Sequence, residues 1–201
     1  MSVKHTCSPL FSECGTCYNK PIELVFIVDS SESVRKDGFV KIQDFIANVV
    51  KQFTIGPTTT RIGLVLYSEE PELKVTIDRD LTREQIIDEI MALRYIGEGT
   101  YTGKAISLAT QEAFANAREG VRKVAIVITD GQTDLRDFPT LQLAVEEARE
   151  HDIYTHAVGV FNSSHAKINK FLNELKLIAT DPDRDVHHIE DFNLLTGDYV
   201  L

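Results

Sequence analysis

Two short polar segments, each directly after an apolar run, carry side chains suited to binding a hard metal ion. In the first, Asp29, Ser31 and Ser33 alternate, so all three project to the same side of an extended segment. In the second, Asp130 follows the apolar run that ends at Thr129. Carboxylate and hydroxyl oxygens, with room for water, suit Mg²⁺ better than a soft metal.

A glycine-rich loop over residues 97–103 precedes a predicted helix and can bring a hydroxyl to the same place. If the strands before Asp29 and Asp130 are neighbours, these two carboxylates lie side by side. Adjacent carboxylates repel each other and raise a pKa unless a cation lies between them. The three segments together therefore predict a Mg²⁺ site.

Each segment also has a purely structural interpretation. Asp29 could serve as a turn residue, and Ser33 fits the N-cap of a helix that begins near Val34. Thr100 between glycines is typical of turn chemistry. The metal-site interpretation is favoured because all of these residues fall at the ends of predicted strands or at the start of a helix.

The spacing of apolar residues predicts the elements that place these loops together. From Pro21 onward, short apolar runs alternate with amphipathic stretches. Near-continuous apolar runs are typical of strands that are covered by helices on both faces. The predicted strands are Leu24–Asp29, Ile62–Tyr67, Leu73–Ile77, Lys123–Thr129, Ile153–Val160 and Asp185–Ile189.

Helices are predicted between these strands. Apolar residues recur at three- and four-residue steps from Val34 to Phe53, and Thr82 and Gln85 have capping-box spacing before the next helix. The remaining helices are predicted over Thr102–Arg118, Phe138–His151, Ser164–Ile178 and a short piece from Asp191.

Strict alternation of strands and helices predicts an α/β fold with a doubly wound, mostly parallel, Rossmann-like sheet and right-handed crossovers. The tight connection between Tyr67 and Leu73 predicts one antiparallel edge strand. In open sheets of this class, ligands bind beyond the carboxyl ends of the strands, where the strand order reverses. The three polar segments are predicted to meet at that point.

Composition narrows the classes of partner. The chain has 201 residues with 21 basic and 31 acidic side chains, a net charge of −10, and its basic residues are scattered singly or in pairs. Binding to a phosphate backbone needs clustered Lys and Arg, so no nucleic-acid partner is predicted. The longest uncharged apolar run, Leu24–Val28, is far too short to cross a bilayer, so no membrane insertion is expected.

All three cysteines, Cys7, Cys14 and Cys17, lie in the first 17 residues. We therefore divide the chain into a cysteine-containing N-terminal arm, residues 1–20, and one domain, residues 21–201. An odd number of cysteines indicates disulfide partners outside this segment or in a second chain, and hence a secreted protein and a disulfide-linked oligomer. A zinc site that includes His5 and a redox-active Cys-x-x-Cys pair are the alternatives. One glycosylation sequon begins at Asn162.

Enzyme motifs fit this sequence poorly. Gly103-Lys104 is followed by Ala105, which breaks the P-loop pattern, and no Gly-x-Ser-x-Gly elbow is present. An aspartyl-phosphate phosphatase needs a second Asp where Ser31 stands, and no histidine lies near Ser31 or Ser33 in the sequence. Mg²⁺ balanced by only two carboxylates stays electrophilic at its open position, which suits capture of an acidic side chain. The sequence predicts binding rather than catalysis.

Asp29-x-Ser31-x-Ser33, Thr100 and Asp130, in this order along the chain, resemble the metal-ion-dependent adhesion site (MIDAS) of the von Willebrand factor type A (vWA) domain. The resemblance covers essentially the whole predicted domain and is greatest to the A-domains of type VI-like collagens, followed by matrilin-like matrix proteins. It implies that Ser31, Ser33 and often Thr100 bind the metal directly, while Asp29 and Asp130 hold it through water. Mn²⁺ and Ca²⁺ are the expected substitutes for Mg²⁺.

The resemblance also implies a function and a location. The domain is expected to mediate Mg²⁺-dependent protein–protein adhesion or assembly in the extracellular matrix. Its partner would be a matrix protein or collagen chain that presents an acidic residue to the MIDAS. The alternatives are a purely structural collagen-chain assembly module, in which the metal only stabilises the fold, and a phosphatase-like hydrolase.

Overall fold

Within residues 20–161 and 168–195, which the computed structural model describes, six strands form one sheet in the order β3-β2-β1-β4-β5-β6. All neighbouring strands are parallel except β2 and β3, which are antiparallel. The predicted doubly wound sheet with one antiparallel edge strand is therefore confirmed. The strands are β1 (Ile22–Asp29), β2 (Thr60–Tyr67), β3 (Glu72–Val75), β4 (Arg122–Thr129), β5 (Ile153–Val160) and β6 (Val186–Ile189).

Helices cover both faces of the sheet and bury two apolar clusters. One cluster joins alternate β1 residues such as Phe26 to α1 and α2, and the other joins Val25 and Ile27 to α3, α4 and α5. Because successive side chains of a strand point to opposite faces, a sheet covered on both sides needs continuous apolar strands. The helices are α1 (Arg35–Val50), α2 (Arg83–Met91), α3 (Thr102–Leu108), α4 (Phe138–Glu150) and α5 (Ile168–Ile178).

Three predictions lie outside the described residues. These are the cysteine arm, the sequon at Asn162 and the first residues of the helix predicted from Ser164. None of the described helices is long and apolar enough to span a bilayer.

α2 begins with the capping box that the spacing of Thr82 and Gln85 predicts. Thr82 Oγ1 accepts from the Gln85 backbone N–H at 3.3 Å, and the Gln85 side chain accepts from the Thr82 backbone N–H at 2.9 Å. This reciprocal pair satisfies two N–H groups that would otherwise lack a partner at the helix start.

The helix predicted over Thr102–Arg118 is a regular α-helix only to Leu108, and helical structure ends at Ala113. After α3 the chain widens into a π-helical segment, Ala109–Ala113, in which the Phe114 N–H donates to the Ala109 carbonyl at 3.0 Å. Thr110 Oγ1 also donates back to the Ile106 carbonyl at 3.0 Å, a bond that disturbs regular helix geometry. The chain then leaves the helix, and Arg118 contacts the start of β1.

Arg118 and Arg61 both bind Glu23, a fully buried acidic residue of β1. Arg61 donates to the two carboxylate oxygens at 2.7 and 2.8 Å, and Arg118 Nε donates at 2.6 Å. Burial raises the pKa of the Glu23 carboxyl, but the hydrogen bonds from the two arginines outweigh burial and hold it below its usual value. This ion cluster fixes the loop after the π-helical segment to β1 and β2.

Candidate functional site

Asp29 ends β1 at the point where the strand order reverses, because β1 lies between β2 and β4. Its side chain is fully buried, and both carboxylate oxygens are used. The Ser31 backbone N–H donates to Oδ1 at 2.8 Å, and Thr129 Oγ1 donates to Oδ2 at 2.7 Å. Asp29 therefore ties the loop after β1 to the end of β4.

Three side-chain oxygens, from Ser31, Ser33 and Asp130, lie within short distances of one another. Ser31 Oγ is 3.2 Å from Ser33 Oγ, and Ser33 Oγ donates to Asp130 Oδ1 at 2.6 Å. Neighbouring oxygens in an octahedral Mg²⁺ shell are about 2.9 Å apart, given metal–oxygen distances of 2.0–2.1 Å. The interpretation of Ser33 as an N-cap is wrong, because the cap of α1 is Val34 and no side chain caps it.

The glycine-rich loop packs against the loop after β1. The Gly97 N–H donates to the Ser30 carbonyl at 2.8 Å, and the Glu32 N–H donates to the Glu98 carbonyl at 3.0 Å. Thr100 then lines one cavity of about 260 Å³ together with Ser33 and Asp130. The five predicted site residues thus come from three loops that meet at one end of the sheet.

Thr133 connects two of these loops, a role that the sequence did not reveal. Its hydroxyl lies 3.1 Å from the Thr100 carbonyl and 3.0 Å from Asp137 Oδ2, and it accepts from the Thr102 backbone N–H at 3.2 Å. Its backbone N–H donates to Glu174 Oε1 at 2.7 Å. Thr133 therefore fixes Thr100 relative to the chain that follows Asp130.

Glu174 and Asp137 are also buried here, and a sequence signal exists for each. Glu174 lies in the apolar stripe of α5 with Phe171, Leu175 and Ile178, where a carboxylate needs a partner. Asp137 stands just before α4, a usual capping position, but its Oδ2 accepts from the Gly103 N–H of α3 at 2.6 Å. Both side chains hold the loop after Asp130 in place.

Two acidic side chains at the site are hard to ionise together. Burial and the nearby charge of Asp29 raise the pKa of Asp130 to about 7, although the hydrogen bond from Ser33 opposes the shift. Burial also raises the pKa of Asp29. A bound cation would remove this electrostatic cost.

The donor set fits a hard divalent cation. Two hydroxyls and a carboxylate lie at ligand-like spacing, the Asp29 carboxylate accepts from the Ser31 backbone N–H, and Thr100 lines a cavity with Ser33 and Asp130. Among the described residues no cluster of three or more His, Cys, Asp or Glu side chains could hold a metal. Ser31, Ser33 and Asp130 would hold the ion, which would supply Lewis acidity toward an anionic group.

Replacing Glu174 by glutamine tests whether this buried carboxyl destabilises the fold when it ionises. Burial raises the pKa of the Glu174 carboxyl from its ordinary value of 4.5 to about 7. Such a group stabilises the fold fully below pH 4.5, and that contribution is lost as the pH rises through 7. Glutamine keeps an oxygen for the Thr133 N–H without the charge. We expect Glu174→Gln to change the free energy of unfolding little near pH 5 and to raise it by about 2–3 kcal/mol at pH 8.

Urea unfolding of the chelator-treated protein at both pH values measures this difference. Glu150→Gln, an exposed change on α4, serves as the control and should have the same small effect at each pH. An equal effect of Glu174→Gln at pH 5 and pH 8 would contradict the prediction.

Comparison with known proteins identifies the family. The model of the von Willebrand factor type A domain matches residues 23–199. The mouse collagen alpha-1(XX) chain is 33% identical over 176 residues, which are 86% of this chain and 12% of the collagen chain. Human vitrin is 33% identical over 91% of this chain and 25% of its own length. Chicken matrilin-1 is 32% identical over 89% of this chain and 36% of its own length.

Solved structures share the fold. Proximal thread matrix protein 1 from the mussel byssus superimposes with a TM-score of 0.77 at 22% identity, covering 88% of this chain and 44% of that protein. Another structure of that protein, with its MIDAS motif occupied by zinc, has a TM-score of 0.72 at 22% identity, over 90% of this chain and 46% of that protein.

The chain spans only 12 to 36% of the length of these curated relatives. They are secreted proteins of the extracellular matrix, which confirms the predicted location. The match of the family model to most of the chain, together with the sheet order and the similar structures, shows that this protein belongs to the von Willebrand factor type A domain family.

Proposed function

We propose that the domain mediates metal-dependent adhesion or assembly in the extracellular matrix by binding the carboxylate of a partner protein. The main support is the close spacing of the Ser31, Ser33 and Asp130 oxygens, at 3.2 and 2.6 Å, beside an Asp29 carboxylate that binds the Ser31 backbone N–H and the Thr129 hydroxyl. Together with Thr100, these residues form the proposed metal site. Mg²⁺ is the proposed ion, because oxygen donors of mixed charge match its preference.

The matrix relatives support binding rather than catalysis. A partner that presents an acidic residue, such as a collagen chain or another matrix protein, would complete the metal shell. We propose residues 21–201 as the binding domain and residues 1–20 as an arm whose cysteines form disulfides in the extracellular framework.

Metal binding should stabilise the folded domain. An ion that binds only the native state raises the free energy of unfolding by about 2.7 kcal/mol at a hundredfold excess over Kd. We therefore expect the calorimetric midpoint to rise when Mg²⁺ replaces EDTA. Ser33→Ala and Asp29→Ala should both lose most of this gain.

Asp44→Ala is the matched control, because Asp44 is an exposed carboxylate of α1. Its midpoint should rise with Mg²⁺ as in the unchanged protein. If Mg²⁺ shifts no midpoint, or if Ser33→Ala keeps the full shift, the metal-site assignment is wrong. Because Ser33 is exposed, its replacement leaves the buried hydrogen bonds of Asp29 in place.

Binding to a panel of purified matrix proteins in Mg²⁺ and in EDTA separates the proposed function from its alternatives. Loss of partner binding in EDTA supports carboxylate capture at the metal. Binding that persists in EDTA, in a domain still stabilised by Mg²⁺, indicates the structural assembly module instead. Hydrolysis of a generic phosphate ester by the domain would support the hydrolase alternative.

A further inference from the structure

A second cavity opens beside the proposed metal site, between the chain that precedes α4 and the exposed side of α5. We call it the α4–α5 groove; it is lined in part by Gln132, Leu135, Phe138, Asn173 and Leu177 and has a volume of about 600 Å³. The Leu135 side chain is 90% exposed, and Phe138 is 36% exposed. Adjacent exposed apolar side chains around a cavity of this size mark a binding groove.

Gln132 joins the groove to the metal site. It lines the α4–α5 groove and also the 260 Å³ cavity that contains Ser33, Thr100 and Asp130. A segment whose carboxylate occupies the smaller cavity is therefore already at the entrance of the groove. In an extended segment, side chains of alternate residues can then enter both cavities.

Two of the three charged side chains that line the groove are already buried or paired, so an apolar occupant matches the groove best. Of the residues that line it, Glu174 is 4% exposed and accepts from the Thr133 N–H, and Asp134 is paired with Arg136. Lys170, which also lines it, is an exposed cation. A second copy of this chain is disfavoured because both copies would carry a net charge of −10.

We propose that the α4–α5 groove binds a large apolar side chain of the same partner segment that presents its carboxylate to the metal. This inference rests on the proposed function and adds the partner's chemistry: an extended stretch with an acidic residue and, a few positions away, a Phe- or Leu-sized side chain. The metal fixes the carboxylate, and the groove selects among acidic segments.

Synthetic peptides test the pairing directly. Each peptide carries one Glu and one Phe separated by one to four Gly or Ser residues, and matched peptides replace Phe by Ala or Glu by Gln. The isotope-labelled domain is titrated with each peptide in saturating Mg²⁺, and methyl NMR shifts report binding. For at least one spacing we expect the Phe peptide to bind about three- to tenfold more tightly than its Ala analogue and to shift the methyl signals of Leu135 and Leu177.

Leu135→Ser should abolish this difference between Phe and Ala peptides while Mg²⁺ affinity stays unchanged. Leu143→Ser is the matched control, because Leu143 is 67% exposed on α4 but does not line the groove. The control should keep the preference for Phe. Both side chains are largely exposed, so neither change removes core packing.

Two kinds of failure are distinguishable. If Phe and Ala peptides bind equally at every spacing, or if no peptide shifts groove signals, the groove proposal is overturned. If the Phe peptides shift groove signals equally with Glu or Gln, and equally in EDTA, the groove binds apolar segments independently of the metal. That last result overturns the link to the proposed carboxylate capture.

Discussion

Replacing Glu23 by glutamine is expected to lower the free energy of unfolding by about 3–5 kcal/mol, the usual cost of breaking a buried ion pair. The Arg61 and Arg118 side chains are only 12% and 23% exposed, so the change leaves two poorly hydrated guanidinium groups without their carboxylate. Arg118 also donates to the Thr59 carbonyl at 2.7 Å, and this connection would loosen as well. Urea unfolding measures the loss.

An exposed ion pair provides the control. Glu72 pairs with Lys74 on β3, and its side chain is 52% exposed. Glu72→Gln should cost about 1 kcal/mol at most, because solvent screens such pairs. Similar losses for Glu23→Gln and Glu72→Gln would show that the buried cluster adds little to stability.

Gly103→Ala should destabilise the domain by about 3 kcal/mol and should also impair Mg²⁺ binding. A Cβ at this position would lie 2.3 Å from the backbone N of Leu141, so α3 and α4 would have to separate. Overpacking of this kind costs typically 1–3 kcal/mol or more. Gly103 N also donates to Asp137, so the shift would carry the Thr100 loop away from Asp130. Calorimetry with and without Mg²⁺ reports both effects.

Gly131→Ala is the comparison within the same site. Its added Cβ would lie 3.6 Å from Ser33 Oγ, which is ordinary van der Waals contact. We expect the fold and the Mg²⁺-induced stabilisation to survive this change. The prediction fails if Gly103→Ala keeps the Mg²⁺-induced rise in midpoint or if both alanine variants behave alike.

The strands were predictable because a sheet covered on both faces leaves a simple pattern. In β1 all eight residues are buried, which produces the continuous apolar run that the sequence shows. The alternation of strands and helices along the chain also indicated a mostly parallel sheet. Local capping chemistry was equally readable at Thr82 and Gln85.

Features that depend on distant contacts were not predictable. The π-helical segment after α3 precedes Arg118, whose partner Glu23 lies 95 residues away in sequence. His156 and His187 lie 31 residues apart in sequence, yet β6 brings His187 Nε2 within 3.4 Å of His156 Nδ1. Pairings of this kind depend on strand order and register, which no local pattern contains.

The candidate site falls between these two cases. The alternation of Asp29, Ser31 and Ser33 is a local pattern, and the structure brings these residues next to Asp130. Thr133 and Glu174 were missed because their importance depends on the packing of α5 against the loop after β4. Metal occupancy stays a prediction that the Mg²⁺ experiments address.

The central position of β1 determines how the domain would carry mechanical load. Ile22 lies at the end of the sheet remote from the proposed metal site, and Asp29 lies at the site itself. Tension between a captured partner and the chain before Ile22 would therefore run along β1 and shear its parallel ladders with β2 and β4 on both sides. Many hydrogen bonds would have to break at once, so survival under force would depend on a slow unfolding rate. A tether in this position would make β1, in which all eight residues are buried, the strand that carries the force between the partner and the rest of the matrix.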